Sequence, residues 1–229
     1  MFILILSDTH GKHKQLEREF KFPSADIIIH AGDISSTGEI WQINDFLTWF
    51  SEFKKYHYDH RLYIAGNHDF LYERDPVIAK KLIPDNIIYL EDSGIEIEGI
   101  KFWGTPISPM FNNWAFNRPI EKRKLYWDLI PDDIDILITH CPPYGILDFS
   151  LYSNEHTGCS VLLETIVNRV KPKFSIYGHI HGNYGYIIDK ENNIIFINAS
   201  NLNERYAVSN KPILIEIDKE KKIYRIVDY

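Results

Sequence analysis

Short apolar, β-branched runs recur along this chain, and each stops abruptly at polar residues. Phe2 to Leu6 runs into Ser7-Asp8-Thr9-His10, Ile27 to Ile29 into His30-Ala31-Gly32-Asp33, and Leu62 to Ala65 into Gly66-Asn67-His68-Asp69. Ile134 to Thr139, broken only by Asp135, reaches His140; Phe174 to Tyr177 reaches Gly178-His179-Ile180-His181. Runs this short, closed by turn residues, predict buried strands rather than helices. Between them the period changes. Ile40, Ile43, Phe46, Leu47, Phe50 and Phe53 recur at helical spacing and predict a helix from Glu39 to Lys55, with Ser36 or Thr37 as its cap. A second helix is expected from Ser160 to about Val170, with Pro172 just beyond it. The last third reads as antiparallel strands: Tyr184 to Asp189, Ile194 to Asn198, Ile213 to Ile217 and Lys222 to Val227, with Lys190-Glu191-Asn192-Asn193 as a turn. Early strand–helix alternation followed by late hairpins predicts an α/β chain of two sheets with helices outside.

The polar residues fall at the C-terminal ends of successive strands, the edge where open α/β sheets place their ligands. In chain order those ends offer Asp8, His10, Asp33, Asn67, His68, His140, His179 and His181. The set is rich in imidazole and carboxylate and lacks thiolate. Such donors suit manganese, iron or zinc and argue against copper(I) or an iron–sulfur cluster. Strand side chains alternate with period two, so Asp8-x-His10 and His179-x-His181 are each expected to grip one ion from one side of an extended segment.

Composition narrows the classes. The 229 residues, 45% hydrophobic and 14% aromatic, are enough to bury a core as a single domain over 1–229 without disulfide staples. Two cysteines, Cys141 and Cys159, make no disulfide framework, which points to a reduced, cytoplasmic setting. The apolar N-terminus stops at Ser7 without a basic leader, and no run approaches eighteen apolar residues, so secretion and membrane spanning are not expected. A net charge of −7 counts against long nucleic acid as a partner. The aromatic surplus suits a homodimer interface and a well-filled core equally.

Gly-His-x-His is expected by chance in only about one such chain in fifty. Taken together, Asp8-x-His10, Gly32-Asp33, Gly66-Asn67-His68-Asp69, His140 and Gly178-His179-x-His181 resemble the full signature of the calcineurin-like metallophosphoesterases, over residues 3 to about 200. The chain is similar in particular to the metallophosphoesterase-domain-containing protein 1 and 2 subfamily. His30-Ala31-Gly32-Asp33, Asn112-Asn113-Trp114-Ala115-Phe116-Asn117, His140-Cys141-Pro142-Pro143, Gly158-Cys159 and Asn198-Ala199-Ser200 carry that likeness. Asp69 stands where Glu is common, and His179, absent from some members, is kept.

The resemblance implies a four-layer αββα sandwich, two packed mixed sheets flanked by helices, with two divalent metal ions. One ion would be held by Asp8, His10 and His181, the other by Asn67, His140 and His179, with Asp33 bridging; manganese is the expected ion, iron or zinc the alternatives. It implies a metal-bridged hydroxide attacking phosphorus, His68 as general acid and Asp69 as the group orienting it; the alternative for His68 is contact with substrate phosphate alone. The implied substrates are small phosphodiesters, cyclic nucleotides first. A phosphomonoesterase, a nuclease and a weakly active nucleotide-binding scaffold are the competing readings. In the segment Pro109 to Asn117, Trp114 is a candidate base-stacking face and Asn112 and Asn113 candidate hydrogen-bonding groups; a core-packed loop is the plain alternative. His13, His30, His57, His60 and His156 read as structural or exposed, Cys141 as a bystander, and Lys54-Lys55 and Lys219 to Lys222 as solvated surface.

Overall fold

A computed structural model describes residues 1–52 and 57–229. Two six-stranded mixed sheets form the centre. In the first, parallel strands β1 (Phe2–Leu6), β2 (Ile27–Ala31), β3 (His60–Ile64) and β4 (Ile88–Tyr89) lie side by side. In the second, β5 (Ser93–Ile97) and β6 (Ile100–Thr105) form a hairpin, and β6 pairs in parallel with β9 (Ile136–Thr139). The ladders β7 (Ser108–Pro109) with β8 (Asn117–Arg118), and β10 (Phe149–Ser150) with β11 (Glu155–His156), decorate the loops. The second sheet continues through β12 (Phe174–Tyr177) and β14 (Ile194–Asn198) to its edge strand β13 (Gly185–Asp189). The chain then returns to the first sheet, where β15 (Ile213–Asp218) pairs antiparallel with β1 and β16 (Ile223–Val227) closes the edge.

The strands are apolar on both faces because both faces are covered. Ile3, Ile5, Ile29 and Ile64 of the first sheet meet Phe102, Ile138, Ile176 and Ile197 of the second. The opposite faces, with Leu4, Ile28 and Tyr63 on one sheet and Leu137, Tyr177 and Phe196 on the other, pack with Phe46, Phe50, Leu162 and Ile166 of the flanking helices. This is the four-layer sandwich that the resemblance implied. It brings the C-terminal ends of β1, β2, β3, β9 and β12 to one rim, where the polar residues follow.

The helices are α1 (His13–Glu19), α2 (Ile40–Ser51), α3 (Phe70–Arg74), α4 (Pro76–Leu82), α5 (Ile120–Trp127) and α6 (Ser160–Thr165), the last continuing as a wider turn over Ile166–Val170. That turn ends on Lys171 in the left-handed region, just before Pro172, as the pattern predicted. Two expectations change at α2. Its N-cap is Glu39, not Ser36 or Thr37; the Gln42 side-chain oxygen instead accepts from Thr37 N (3.0 Å) and Glu39 N (3.4 Å). The expected continuation to Lys55, with Phe53 and the Lys54-Lys55 pair, lies outside the described residues. Four helices were not foreseen. In α5 the buried positions are Arg123 and Trp127 while Ile120 and Leu125 are exposed, so no apolar stripe marks its inner face. α1 buries only His13 and Leu16, and α3 and α4 are short.

Candidate metal centre

Left-handed backbone, not strand pleat, aims the rim residues. Asp8, His10, Asp33 and His179 have φ of 53°, 43°, 55° and 68°. Such conformations cost a non-glycine residue roughly 1–3 kcal/mol and gather at functional sites. β1 ends at Leu6, so Asp8 and His10 converge through turns beyond the strand, and the expected period-two alternation does not apply. Backbone bonds splice the strand ends together: Asp8 N to Gly32 O at 3.0 Å, His10 N to Asp33 O at 3.0 Å, and Gly178 N to His140 O at 3.2 Å. The glycines of the motifs have a steric cause. A Cβ on Gly32 would collide with the His140 ring, one on Gly66 with the Asp33 carboxylate, and one on Gly178 with the Asp8 carboxylate.

Three overlapping groups of donors result, each with ligand atoms within 4.8 Å of one another: Asp8, His10 and His181; His10, Asp33 and His68; Asp33, His140 and His179. His179 and His181 therefore face different groups, and the expectation that this pair grips one ion is overturned. Asp33 lies between the two outer groups, its Oδ2 3.6 Å from His10 Nε2 and 3.3 Å from His140 Nε2. Asn67 Oδ1 is 3.0 Å from the same His140 nitrogen. His140 Nδ1 is held 3.0 Å from Ala31 O, and His181 Nδ1 3.1 Å from Asn203 O. An N–H donated to a carbonyl from Nδ1 leaves the Nε2 lone pair free, the usual orientation of metal-ligating imidazoles. Indeed His10 Nε2 and His181 Nε2 meet at 3.2 Å, and His10 Nδ1 is buried without a partner. Asp8 is fixed by the His179 N–H (3.0 Å) and by the Ser200 hydroxyl (2.9 Å). Acceptors and lone pairs thus converge with few protons between them, a donor set that fits divalent cations.

The electrostatics agree. Burial pushes the Asp8 and Asp33 carboxyls up, but facing imidazoles, His181 for Asp8 and His140 for Asp33, hold both below the usual carboxylate range. Burial dominates at His10 and His179, taking them down to about 4 and about 3, so both rings are neutral at pH 7. At His140 burial is outweighed by Asp33, and the ring is raised to about 9. At His181 burial is likewise outweighed by Asp8, so His140 and His181 hold protons that a divalent ion would displace, while His10 and His179 are already neutral. The carboxylates' demand for positive charge is what metal binding would meet.

His68 sits beside this constellation. Its N–H donates to Asp33 Oδ1 at 2.8 Å, and its Nδ1 lies 2.7 Å from Ser36 O. Asp69, expected to orient that ring, is engaged elsewhere: its carboxylate accepts from Gly66 N (2.8 Å), Ser35 N (2.9 Å), Ser35 Oγ (2.6 Å) and Ile34 N (3.2 Å). Ser36 takes the orienting place, and Asp69 ties the β2 and β3 loops together. Trp114 lies over His68, with centroids 4.2 Å apart and an interplanar angle of 33°, so this part of the Pro109–Asn117 loop reaches the site. Asn112 and Asn113 are exposed on the same loop.

Pattern alone did not reveal Tyr206. Its ring lies 4.9 Å from those of both His10 and His181 and 6.4 Å from that of His68, on a left-handed residue. The readable signal nearby is Asn203, which begins a turn: its Oδ1 accepts from Arg205 N (3.0 Å) and Ala207 N (3.1 Å). Beside this turn a cavity of about 460 Å³ opens against His181.

Comparison with known proteins places these features. A sequence model described as Calcineurin-like phosphoesterase matches residues 1–183. Metallophosphoesterase domain-containing protein 1 of Homo sapiens is 33% identical over 236 residues, covering 93% of this chain and 69% of its own length. UPF0046 protein K07C11.7 of Caenorhabditis elegans is 30% identical over 231 residues, covering 95% and 76%. Among solved structures, TT1561 of Thermus thermophilus shares the fold with a TM-score of 0.60 at 14% identity, covering 99% and 98% of the two chains. A dimetal phosphatase from Danio rerio matches with a TM-score of 0.54 at 11% identity, covering 96% and 93%.

Proposed function

Since this chain belongs to the calcineurin-like phosphoesterases, a family of metal-dependent phosphoric ester hydrolases, we propose that it cleaves small phosphodiesters, cyclic nucleotides among them, at the rim centred on Asp33. One observation carries the two-ion reading: a single carboxylate oxygen lies 3.6 Å and 3.3 Å from imidazole nitrogens of two separate donor groups. Asp8, His10 and His181 would hold one ion, Asn67, His140 and His179 the other, and Asp33 both. Manganese suits this nitrogen–oxygen set, as do iron and zinc. When bound, two such ions supply Lewis acidity, neutralising phosphoryl oxygens and making hydroxide available near neutral pH.

The chain's own residues supply the rest. Asp8 and Asp33 provide the negative charge, and Asn67, being neutral, limits it. His68 would serve as the general acid in its doubly protonated form: with Nδ1–H donated to Ser36 O, Nε2–H is the proton that passes to the leaving oxygen, leaving the neutral ring behind. Trp114 packs on one face of that ring and keeps it in place. Tyr206, 44% exposed, walls the solvent side of His10 and His181. The free, buried Cys141 and Cys159 fit a reduced, cytoplasmic setting. Among the described residues no helix is long and apolar enough to cross a membrane.

The test is hydrolysis of bis(p-nitrophenyl) phosphate beside p-nitrophenyl phosphate, after chelation and again with added manganese. Metal-restored cleavage that favours the diester is expected. Preference for the monoester would make the protein a phosphatase, and cleavage indifferent to chelator would overturn the reading.

A further inference from the structure

The cavity next to His181 touches the donor groups through that ring alone and has chemistry of its own. It is lined by His181, Gly182, Asn203, Glu204, Arg205 and Asn210, among others. Two of these side chains already use half of their hydrogen-bonding capacity. Asn203 Oδ1 accepts two backbone N–H groups in its turn, which leaves the Asn203 amide NH2 as a donor. Asn210 Nδ2 donates to Ser200 O at 2.9 Å, which leaves Asn210 Oδ1 as an acceptor. Arg205 and Glu204 form no ion pair among the described residues, so one brings a set of charged donors and the other a pair of charged acceptors. Gly182 makes room for that carboxylate, since a Cβ there would lie 2.7 Å from Glu204 Oε1.

Two backbone hydrogen bonds close the turn that carries Asn203, Glu204 and Arg205. Asn203 N bonds Ala207 O at 2.9 Å, and Tyr206 N bonds Asn203 O at 2.8 Å. That same Asn203 carbonyl lies 3.1 Å from His181 Nδ1, so one turn fixes the His181 ring and furnishes the cavity wall. The cavity and the Asp8, His10 and His181 donor group therefore share the His181 ring as a common wall.

We propose that this cavity is the subsite for the organic substituent of the phosphodiester, and that it selects substituents with hydrogen-bond donors and acceptors side by side. This rests on the phosphodiesterase reading of the neighbouring donor groups. Leu151 and Tyr184 offer apolar contact, but a hydrocarbon or plain aryl group would leave the Asn203, Asn210, Arg205 and Glu204 functions to water alone. A second phosphate would meet the Glu204 carboxylate. A hydroxyl- or amide-bearing group pairs with all four free functions.

The experiment compares wild type with Arg205→Ala and Glu204→Ala, both exposed positions, in two ways. Steady-state kinetics give the ratio of kcat/KM for 3′,5′-cyclic AMP and cyclic GMP to that for bis(p-nitrophenyl) phosphate. Equilibrium dialysis with the same cyclic nucleotides gives Kd in manganese-loaded protein. We expect the ratio to fall at least ten-fold in each variant, through KM, and Kd to rise in step. Wild-type binding that depends on Arg205, without turnover of any ester, would refute the phosphodiesterase reading and leave the cavity assignment standing. Variants that keep the wild-type ratio and Kd, or a wild type that cleaves bis(p-nitrophenyl) phosphate and binds neither cyclic nucleotide, would overturn the cavity assignment.

Discussion

Replacing Asp33 by Asn changes almost nothing in shape and removes the charge between the two outer donor groups. The new side-chain amide would keep an oxygen for the His68 N–H that Asp33 Oδ1 now accepts at 2.8 Å. What the substitution loses can be sized from His140. Burial alone would lower that imidazole, yet Asp33, foremost among the groups that raise it, helps bring the ring from 6.5 to about 9. This net rise corresponds to ~3 kcal/mol of added preference for a single positive charge. A divalent ion carries twice that charge and the carboxylate serves both groups, so ~3 kcal/mol is the order of magnitude of the loss for each ion. Manganese affinity should therefore drop by roughly 100-fold or more. The assay is metal content by mass spectrometry after dialysis against buffered free manganese, with thermal unfolding as the check on folding. Wild type should hold two equivalents at concentrations where the variant holds fewer than one. Two equivalents in a folded Asp33→Asn protein, at the same free manganese, would refute the bridging role.

Three further outcomes follow from the same geometry. His68→Ala should lower turnover by roughly 10²–10³-fold with both ions retained if His68 acts as the proposed general acid; equal loss of metal in this variant would contradict that role. Asp69→Ala leaves the Gly66, Ser35 and Ile34 N–H groups without their shared acceptor, and at ~1–3 kcal/mol for each buried unpaired donor it should lower Tm by roughly ten degrees or more. An unchanged Tm would mean that the two loops are not held by this carboxylate. The protein should also lose stability in mild acid through His13 and His30. Burial holds His13 down to about 4, with Asp45 opposing and Lys14 assisting, and holds His30 down to about 3. The unfolded chain takes up these protons near 6.5, the folded chain only at about 4 and 3. Stability is thus fully present above pH 6.5 and falls by ~1.4 kcal/mol per pH unit for each ring as pH drops toward those values. Urea unfolding of wild type and His13→Gln between pH 7 and 4.5 measures this, and identical slopes would show that His13 does not contribute.

How much of this was legible in the sequence differs by element. The central strands were readable because double-sided burial makes them continuous apolar runs, as in Ile27–Ala31 and Ile136–Thr139. The donors were readable because they follow those runs directly. Their aim was not: Asp8, His10, Asp33 and His179 point inward through left-handed backbone, which a pattern of side-chain types does not encode. For the same reason the pairing of His181 with Asp8, and of His179 with His140, came from the resemblance and not from spacing. Asp69 illustrates a different limit. The resemblance implied it as the partner of the His68 ring, but its contacts are with Ser35, Ile34 and Gly66, two of them far away in the chain. Tyr206 and the cavity wall lie on a polar turn whose residues say little until the sheets have folded them against His181.

The central claim is that two ions share Asp33. Anomalous diffraction from crystals grown with manganese tests it most directly. The account predicts two peaks about 3.5–4 Å apart, both within bonding distance of the Asp33 carboxylate, one beside Asp8, His10 and His181 and the other beside Asn67, His140 and His179. A single fully occupied peak at saturating manganese, or two peaks of which only one touches Asp33, would contradict it.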